Sequence, residues 1–327
     1  MKRKGNLYEQ IYSLENLYLA EKNARKGKKY QKQIIQFSKN RDINISEIHN
    51  LLKNEEYKVS KYSVFTIFDK KEREIFVLPY KDRIIQHAIL NIIKPILDKC
   101  FISQTYSCIK NRGIHKALYK LKYYLKDIEN TKYCLFLDIK KYYPNINKYT
   151  LKQFLRRKFK DRKLLNLLDT IIDSHNQGIP IGSFLSQYFG NFYLTYFDHW
   201  LKSKKLIYLR YMDNIIILHK SKEFLYNLRI EIQTYLFNIL DLQLSTYQIF
   251  PVESRGIDFV GYKVYHTHIL LRKQIKQNFK IMLQKYPNEN SISSYKGWIS
   301  HCNGLNLWQK YIQNDNKTIK FNFRRSN

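Results

Sequence analysis

The chain has 327 residues, 44% of them hydrophobic, which suits one large multi-lobed domain or two to three small ones. Lys and Arg number 58 against 27 Asp and Glu, a formal net charge of +31, which disfavours self-association and asks for a polyanionic partner, nucleic acid before an anionic membrane surface. A membrane span, a cleaved signal peptide and a zinc ribbon are set aside, because no apolar run approaches the ~18–20 residues of a bilayer span, no apolar core follows the basic start, and Cys100, Cys108, Cys134 and Cys302 form no C-x-x-C pair. Scattered thiols of this kind suit a reducing cytoplasm. The 28 Tyr and 19 Phe, interleaved with cations, suit base stacking beside phosphate contacts, although an AT-rich codon bias gives the same composition.

In chain order, residues 8–38 read as helix, with Leu7, Ile11, Leu14 and Leu17 near helical period and a basic stretch from Lys22 to Lys32. Residues 63–69 and 72–78 read as two strands joined by a turn at Lys70-Lys71, and Pro79 ends the second. Helices are expected over 82–98 and 114–127. Residues 133–139 form a continuous apolar run of strand length that carries Asp138 near its end. A carboxylate there costs several kcal/mol unless a charged partner satisfies it.

Helices follow over 148–158 and 163–173, then a loop from Gly178 to Gly182, then a long apolar helix over 184–202. Strands at 205–210 and 215–219 flank a tight turn, Tyr211-Met212-Asp213-Asn214. A helix is expected over 223–240, a strand pair over 257–265 and 268–272, and a basic helical tail over 273–327. If the strands that bear Asp138 and Asp213 are sheet neighbours, the two carboxylates meet at one end. Hard divalent ions need such oxygen ligands.

Several motifs surround these acids in a fixed order. Phe136-Leu137-Asp138-Ile139-Lys140-Lys141-Tyr142-Tyr143-Pro144-Asn145-Ile146 resembles the first catalytic motif of the reverse transcriptases. Gly178-Ile179-Pro180-Ile181-Gly182-Ser183-Phe184-Leu185-Ser186-Gln187 resembles the motif that cradles template and incoming nucleotide. Tyr211-Met212-Asp213-Asn214 resembles the Tyr-x-Asp-Asp motif, and Gly256 to Tyr262 the primer grip. Lys71-Glu72-Arg73, Asp82 to His87 and Tyr106 to Ala117 resemble the upstream blocks, so the likeness spans roughly residues 60–310.

The resemblance implies an α+β, right-hand polymerase: fingers over 1–125 with 150–182, palm over 126–149 and 183–272, thumb over 273–327. It implies an RNA-directed DNA polymerase whose partners are template RNA, the RNA–DNA heteroduplex and dNTPs. Asp138, Asp213 and the Ile139 carbonyl would hold two Mg²⁺ ions, or Mn²⁺, with Asn214 as a third catalytic position. Two such ions about 3.5–4 Å apart activate a 3′-hydroxyl and stabilise departing pyrophosphate. Lys71 and Arg73 would neutralise the triphosphate. Tyr143 would lie under the sugar and exclude a 2′-hydroxyl, while Ile181, Gly182, Ser186 and Gln187 would line the nucleotide site.

Within the family, Ile181-Gly182-x-x-x-Ser186-Gln187 and Ser294 to Cys302 are similar to the enzymes of diversity-generating retroelements. Those bacterial or phage-encoded enzymes write adenine-mutagenised cDNA for mutagenic retrohoming, helped by a basic accessory protein. Two departures stand out. Asn214 replaces the second Asp of the turn, and Thr246 or Tyr247 aligns where a proton-donating Lys is usual. Defence-type and retron-like reverse transcriptases share the same core motifs, and an RNA-binding polymerase relic would keep the basic surface.

Overall fold

The computed structural model describes residues 2–68, 72–285 and 287–313. Its helical start is α1 (Tyr8–Tyr12), α2 (Leu14–Ala24), α3 (Lys32–Lys39) and α4 (Arg41–Lys53). The single helix expected over 8–38 is therefore three. Ser13 turns extended at φ −54°, ψ 138°, and its hydroxyl accepts from the Asn16 amide, a serine N-cap that starts a new helix. Gly27, at φ +71°, lies in the break between α2 and α3.

A hairpin follows, β1 (Ser63–Phe68) and β2 (Glu72–Val77), with every residue of β1 exposed. The expected turn at Lys70-Lys71 lies outside the described residues. Next come α5 (Tyr80–Asp98), which buries Ile84, Ile85, Ala88, Ile89 and Ile93, and α6 (Ile114–Tyr124).

The chain then builds its main sheet. β3 (Tyr133–Ile139) has the bounds that its apolar run predicts. After α7 (Lys148–Arg156) and α8 (Arg162–Asp173), the expected long helix is two, α9 (Phe184–Tyr193) and α10 (Thr195–Ser203), broken at Leu194. Leu194 is buried and offers no capping side chain, so packing rather than local chemistry sets that break. β4 (Ile207–Tyr211), β5 (Asn214–His219), α11 (Lys222–Leu240) and β6 (Leu244–Pro251) complete this unit.

The sheet runs β4-β5-β3-β6, each neighbour antiparallel. Alternation along β3 divides the interior: Leu135, Leu137 and Ile139 face a core shared with α1–α5 and α7–α11, while Cys134 and Phe136 face a second core. β5 splits likewise, Ile215 and Ile217 to one side, Ile216 and Leu218 to the other. Both strands are buried on two faces, which is why they read as unbroken apolar runs.

The short helix α12 (Val252–Arg255) leads to a three-stranded sheet, β7 (Ile257–Phe259), β8 (Tyr262–Val264) and β9 (Ile269–Leu271), where a strand pair was expected. Its Val260-Gly261 turn has φ +42° and +94°, and a Cβ on Gly261 would stand 2.4 Å from the Trp298 ring. The described part of the tail is α13 (Lys273–Lys285), α14 (Glu289–Ile299), α15 (Leu305–Trp308) and a π-turn over Gln309–Gln313; the expected helix beyond 313 lies outside the described residues. No helix among the described residues is long and apolar enough to cross a membrane.

Candidate active site

Register places the two acids. In the β3–β5 ladder Asp138 stands opposite Asn214, so Asp213, one residue earlier in the turn, lies at the same sheet end. The β4–β5 hairpin closes between Tyr211 and Asn214 with only Met212 and Asp213 in the turn. Met212 sits at φ +57°, a conformation that costs a side-chain-bearing residue about 1–2 kcal/mol. On the other flank of β3, Asp138 stands opposite Thr246, and the ladder slips at Asp138/Ile139. That bulge falls at the residue whose carbonyl the motif implies as a ligand.

Asp213 is short of counter-charge. Burial and the neighbouring Asp138 carboxylate push its carboxyl above the usual range, and hydrogen bonds and the Arg73 cation recover only part of that shift. The Asn214 Nδ2 donates to Asp213 Oδ1 at 3.1 Å, which leaves the amide oxygen of Asn214 for another partner. The Ser245 hydroxyl donates to Asp138 Oδ2 at 2.9 Å. Two mutually repelling carboxylates in a partly desolvated corner fit a hard cation, which relieves the repulsion and the burial penalty together.

The glycine-rich loop is stitched to both sides of this corner. The Phe76 amide of β2 donates to the Ile181 carbonyl at 2.7 Å. Gly182 lies at φ +111°, so close that a Cβ would meet the Phe76 carbonyl at 2.7 Å. At the other end the Ile179 amide donates to the Tyr143 carbonyl at 3.1 Å, and a Cβ on Gly178 would overlap that carbonyl at 2.3 Å. Tyr143 in turn leans on the β4–β5 hairpin, its hydroxyl donating to Met212 Sδ at 3.6 Å.

Asp138, Ile139, Asp213 and Asn214 thus stand at one sheet end with Tyr143 against Met212, while Ile181 and Gly182 lie against β2 in the loop whose Ile179 amide reaches Tyr143. Arg73 is exposed on β2 with its charge acting on Asp213. Lys71 lies outside the described residues. Ser186 is buried in the first turn of α9, its amide donating to the Ser183 hydroxyl at 3.4 Å. Gln187 is exposed and takes a weak hydrogen bond from the Cys108 thiol at 3.6 Å.

Sequence reasoning passes over Ser245 and the contact that Cys108 makes with Gln187. Ser245 rides on β6, whose Leu, Thr, Tyr, Ile and Phe content is a strand signal in itself. Cys108 holds φ +56°, which nothing in a lone cysteine announces.

Comparison with known proteins identifies the family and the fold. Residues 27–264 match the family model described as reverse transcriptase (RNA-dependent DNA polymerase). The Retron Ec73 reverse transcriptase of Escherichia coli is 24% identical over 255 residues, covering 68% of this chain and 77% of that protein. Protein YkfC of E. coli K12 is 27% identical over 148 residues, and Group II intron-encoded protein LtrA of Lactococcus lactis 26% over 147. The matches span 39% of YkfC and 24% of LtrA.

Among solved structures, apo telomerase of Candida tropicalis superposes with a TM-score of 0.53 at 11% identity, over 69% of this chain and 53% of that one. Telomerase of Candida albicans, in complex with a telomeric RNA fragment, gives 0.52 at 12% over 71% and 51%. These likenesses show the right-hand polymerase fold.

Proposed function

The chain belongs to the reverse transcriptase family, and on that premise we propose that it is an RNA-directed DNA polymerase that copies template RNA into cDNA. The observation that carries this reading is the β3–β5 register, with Asp138 opposite Asn214 and Asp213 in the adjoining turn. Asp138, Asp213 and the Ile139 carbonyl are the groups that would hold divalent ions, with Asn214 offering its amide oxygen. Such ions supply charge stabilisation at the attacking and leaving oxygens.

The chain's own groups do the positioning. Arg73 is an exposed cation for the triphosphate, and Lys71 would act beside it. Tyr143, braced on Met212, walls the place where a ribose 2′-hydroxyl would enter. Gly182 brings backbone against the nascent pair without side-chain bulk, while Ile181, Ser186 and Gln187 complete the nucleotide site. The fingers, palm and thumb would take residues 1–125 with 150–182, 126–149 with 183–272, and 273–327.

The finer reading is diversity generation. Ile181 supports it, because an isoleucine side chain cannot hydrogen-bond the incoming nucleotide, and weaker positioning lowers discrimination between right and wrong bases. The partners would be a template RNA and a basic accessory protein. The retron relative, matched over 77% of its length, favours a retron-like role as the second reading. A template repeat beside a variable gene in the flanking DNA argues for the first, and a structured noncoding RNA alone for the second.

Primer extension on an RNA template with dNTPs tests the activity. Product is expected with Mg²⁺ or Mn²⁺ and not from Asp138→Ala. No product above that variant with either ion defeats the proposal.

A further inference from the structure

The hairpin that carries Asp213 is anchored from beneath. Arg210, the residue before Tyr211 in β4, is fully buried. Its Nη1 donates to the Met212 carbonyl at 2.8 Å, and its Nη2 reaches the Asn191 carbonyl of α9 at 3.3 Å. Its Nε and Nη2 grip the two oxygens of Asp198 in α10 at 2.7 and 2.6 Å. Asp198 is also fully buried, and accepts from the Thr105 hydroxyl at 2.9 Å and from the Tyr208 hydroxyl. The Arg210 backbone is pinned as well: its amide donates to Gln104 and its carbonyl accepts from Tyr106, at 3.0 and 3.1 Å.

Burial by itself would push the guanidinium down, but the Asp198 carboxylate outweighs it and keeps Arg210 charged. Two apolar residues of similar volume would fill this space with less desolvation cost. What they could not do is hold a carbonyl. Met212 is at positive φ without a glycine's freedom, and Arg210 is the side chain that ties its carbonyl down. One end of the guanidinium is fixed by α10 and the other fixes the turn. The fork geometry matters here, since a planar guanidinium reaches Asp198 and the Met212 carbonyl from separate nitrogens, whereas an ammonium's three donors all diverge from one atom.

We infer that Arg210 and Asp198 are positioning residues, which set the place of Asp213, and through it the site's affinity for a divalent ion, by way of the Met212 carbonyl. The inference rests on Asp213 being a metal ligand, as proposed above. It assigns neither residue to the reacting atoms.

Mn²⁺ binding to the full chain, followed by electron paramagnetic resonance, reads this without turnover. Arg210→Lys is expected to weaken Mn²⁺ binding about tenfold, while the dNTP KM at saturating metal stays within about twofold. Adding Met212→Gly to Arg210→Lys should recover most of the Mn²⁺ affinity, because glycine adopts the turn without an anchor. Wild-type Mn²⁺ affinity in a folded Arg210→Lys chain, whatever its melting temperature, overturns the inference, and so does a double variant with no recovery. If Arg210→Lys does not fold, Thr105→Val removes one donor from Asp198 with the ion pair intact. It should weaken Mn²⁺ binding about threefold, and an unchanged affinity then counts as refutation. Asp213→Ala separates the premises: if it binds Mn²⁺ as wild type does, the ligand assignment itself fails.

Discussion

Replacing Gly182 with alanine puts the loop's geometry to a quantitative test. The new Cβ would stand 2.7 Å from the Phe76 carbonyl and 2.9 Å from Ile75 Cγ2, and φ would have to remain at +111°. That backbone region costs a non-glycine residue about 1–3 kcal/mol. Relief requires the loop to back away from β2, which stretches the 2.7 Å bond from the Phe76 amide to the Ile181 carbonyl and costs about 1 kcal/mol more. The total is about 2–4 kcal/mol. At about 2–4 °C per kcal/mol, thermal melting should fall by about 4–16 °C if the strain is borne globally. If the loop instead shifts alone, the dNTP KM should rise, by about tenfold for each 1.4 kcal/mol. Gly297→Ala is the control: its Cβ meets nothing within 4 Å inside α14, so it should stabilise by about 1 kcal/mol. Differential scanning calorimetry with steady-state primer extension measures both. A Gly182→Ala enzyme with wild-type melting and wild-type KM would refute the reasoning.

Three further outcomes are expected. Because burial and Asp138 raise the Asp213 carboxyl, the metal-free fold binds that proton more tightly than the unfolded chain does. That contribution is full below the ordinary carboxylate range and is lost as pH rises through the raised value. The metal-free Asp213→Asn variant should therefore melt above wild type at pH 8, with the gap closing toward pH 4 and Mg²⁺ removing it; a pH-independent gap sinks the argument. Tyr143→Val should raise ribonucleotide use relative to deoxynucleotide by up to about a hundredfold, the limit for an apolar wall facing one added hydroxyl; unchanged selectivity removes the gate from Tyr143. Ile181→Gln should lower misincorporation opposite adenine by about three- to tenfold, the worth of one neutral hydrogen bond; an unaltered error spectrum clears Ile181 of that role.

The strands that matter most were the easiest to read. Tyr133–Ile139 announces itself because both faces are buried, and the turn at Met212-Asp213 because apolar residues crowd both sides of it. The juxtaposition of Asp138 and Asp213 followed from those two strands once they were neighbours. β6 escaped notice for the opposite reason: it is an edge strand with Thr246, Tyr247 and Gln248 exposed, so neither an alternating nor a continuous apolar pattern marks it. Ser245, and with it the hydrogen bond on Asp138, was lost along with the strand. Arg210 reads as the polar end of a strand, and only the tertiary arrangement of Asp198, Thr105 and Tyr208 reveals a guanidinium held in the dark. The helix breaks divide the same way, since Ser13 signals its own cap and Leu194 does not.

The division of the interior by β3 has a consequence for how the molecule opens. Leu135, Leu137 and Ile139 belong to one core and Cys134 and Phe136 to the other, so neither half can loosen without exposing the strand between them. Amide hydrogens of β3 should exchange with solvent only through global unfolding, later than those of the exposed β1–β2 hairpin. The β1–β2 hairpin, proposed above to meet the triphosphate through Arg73, is thus free to breathe, while Asp138 hangs from the last segment to let water in.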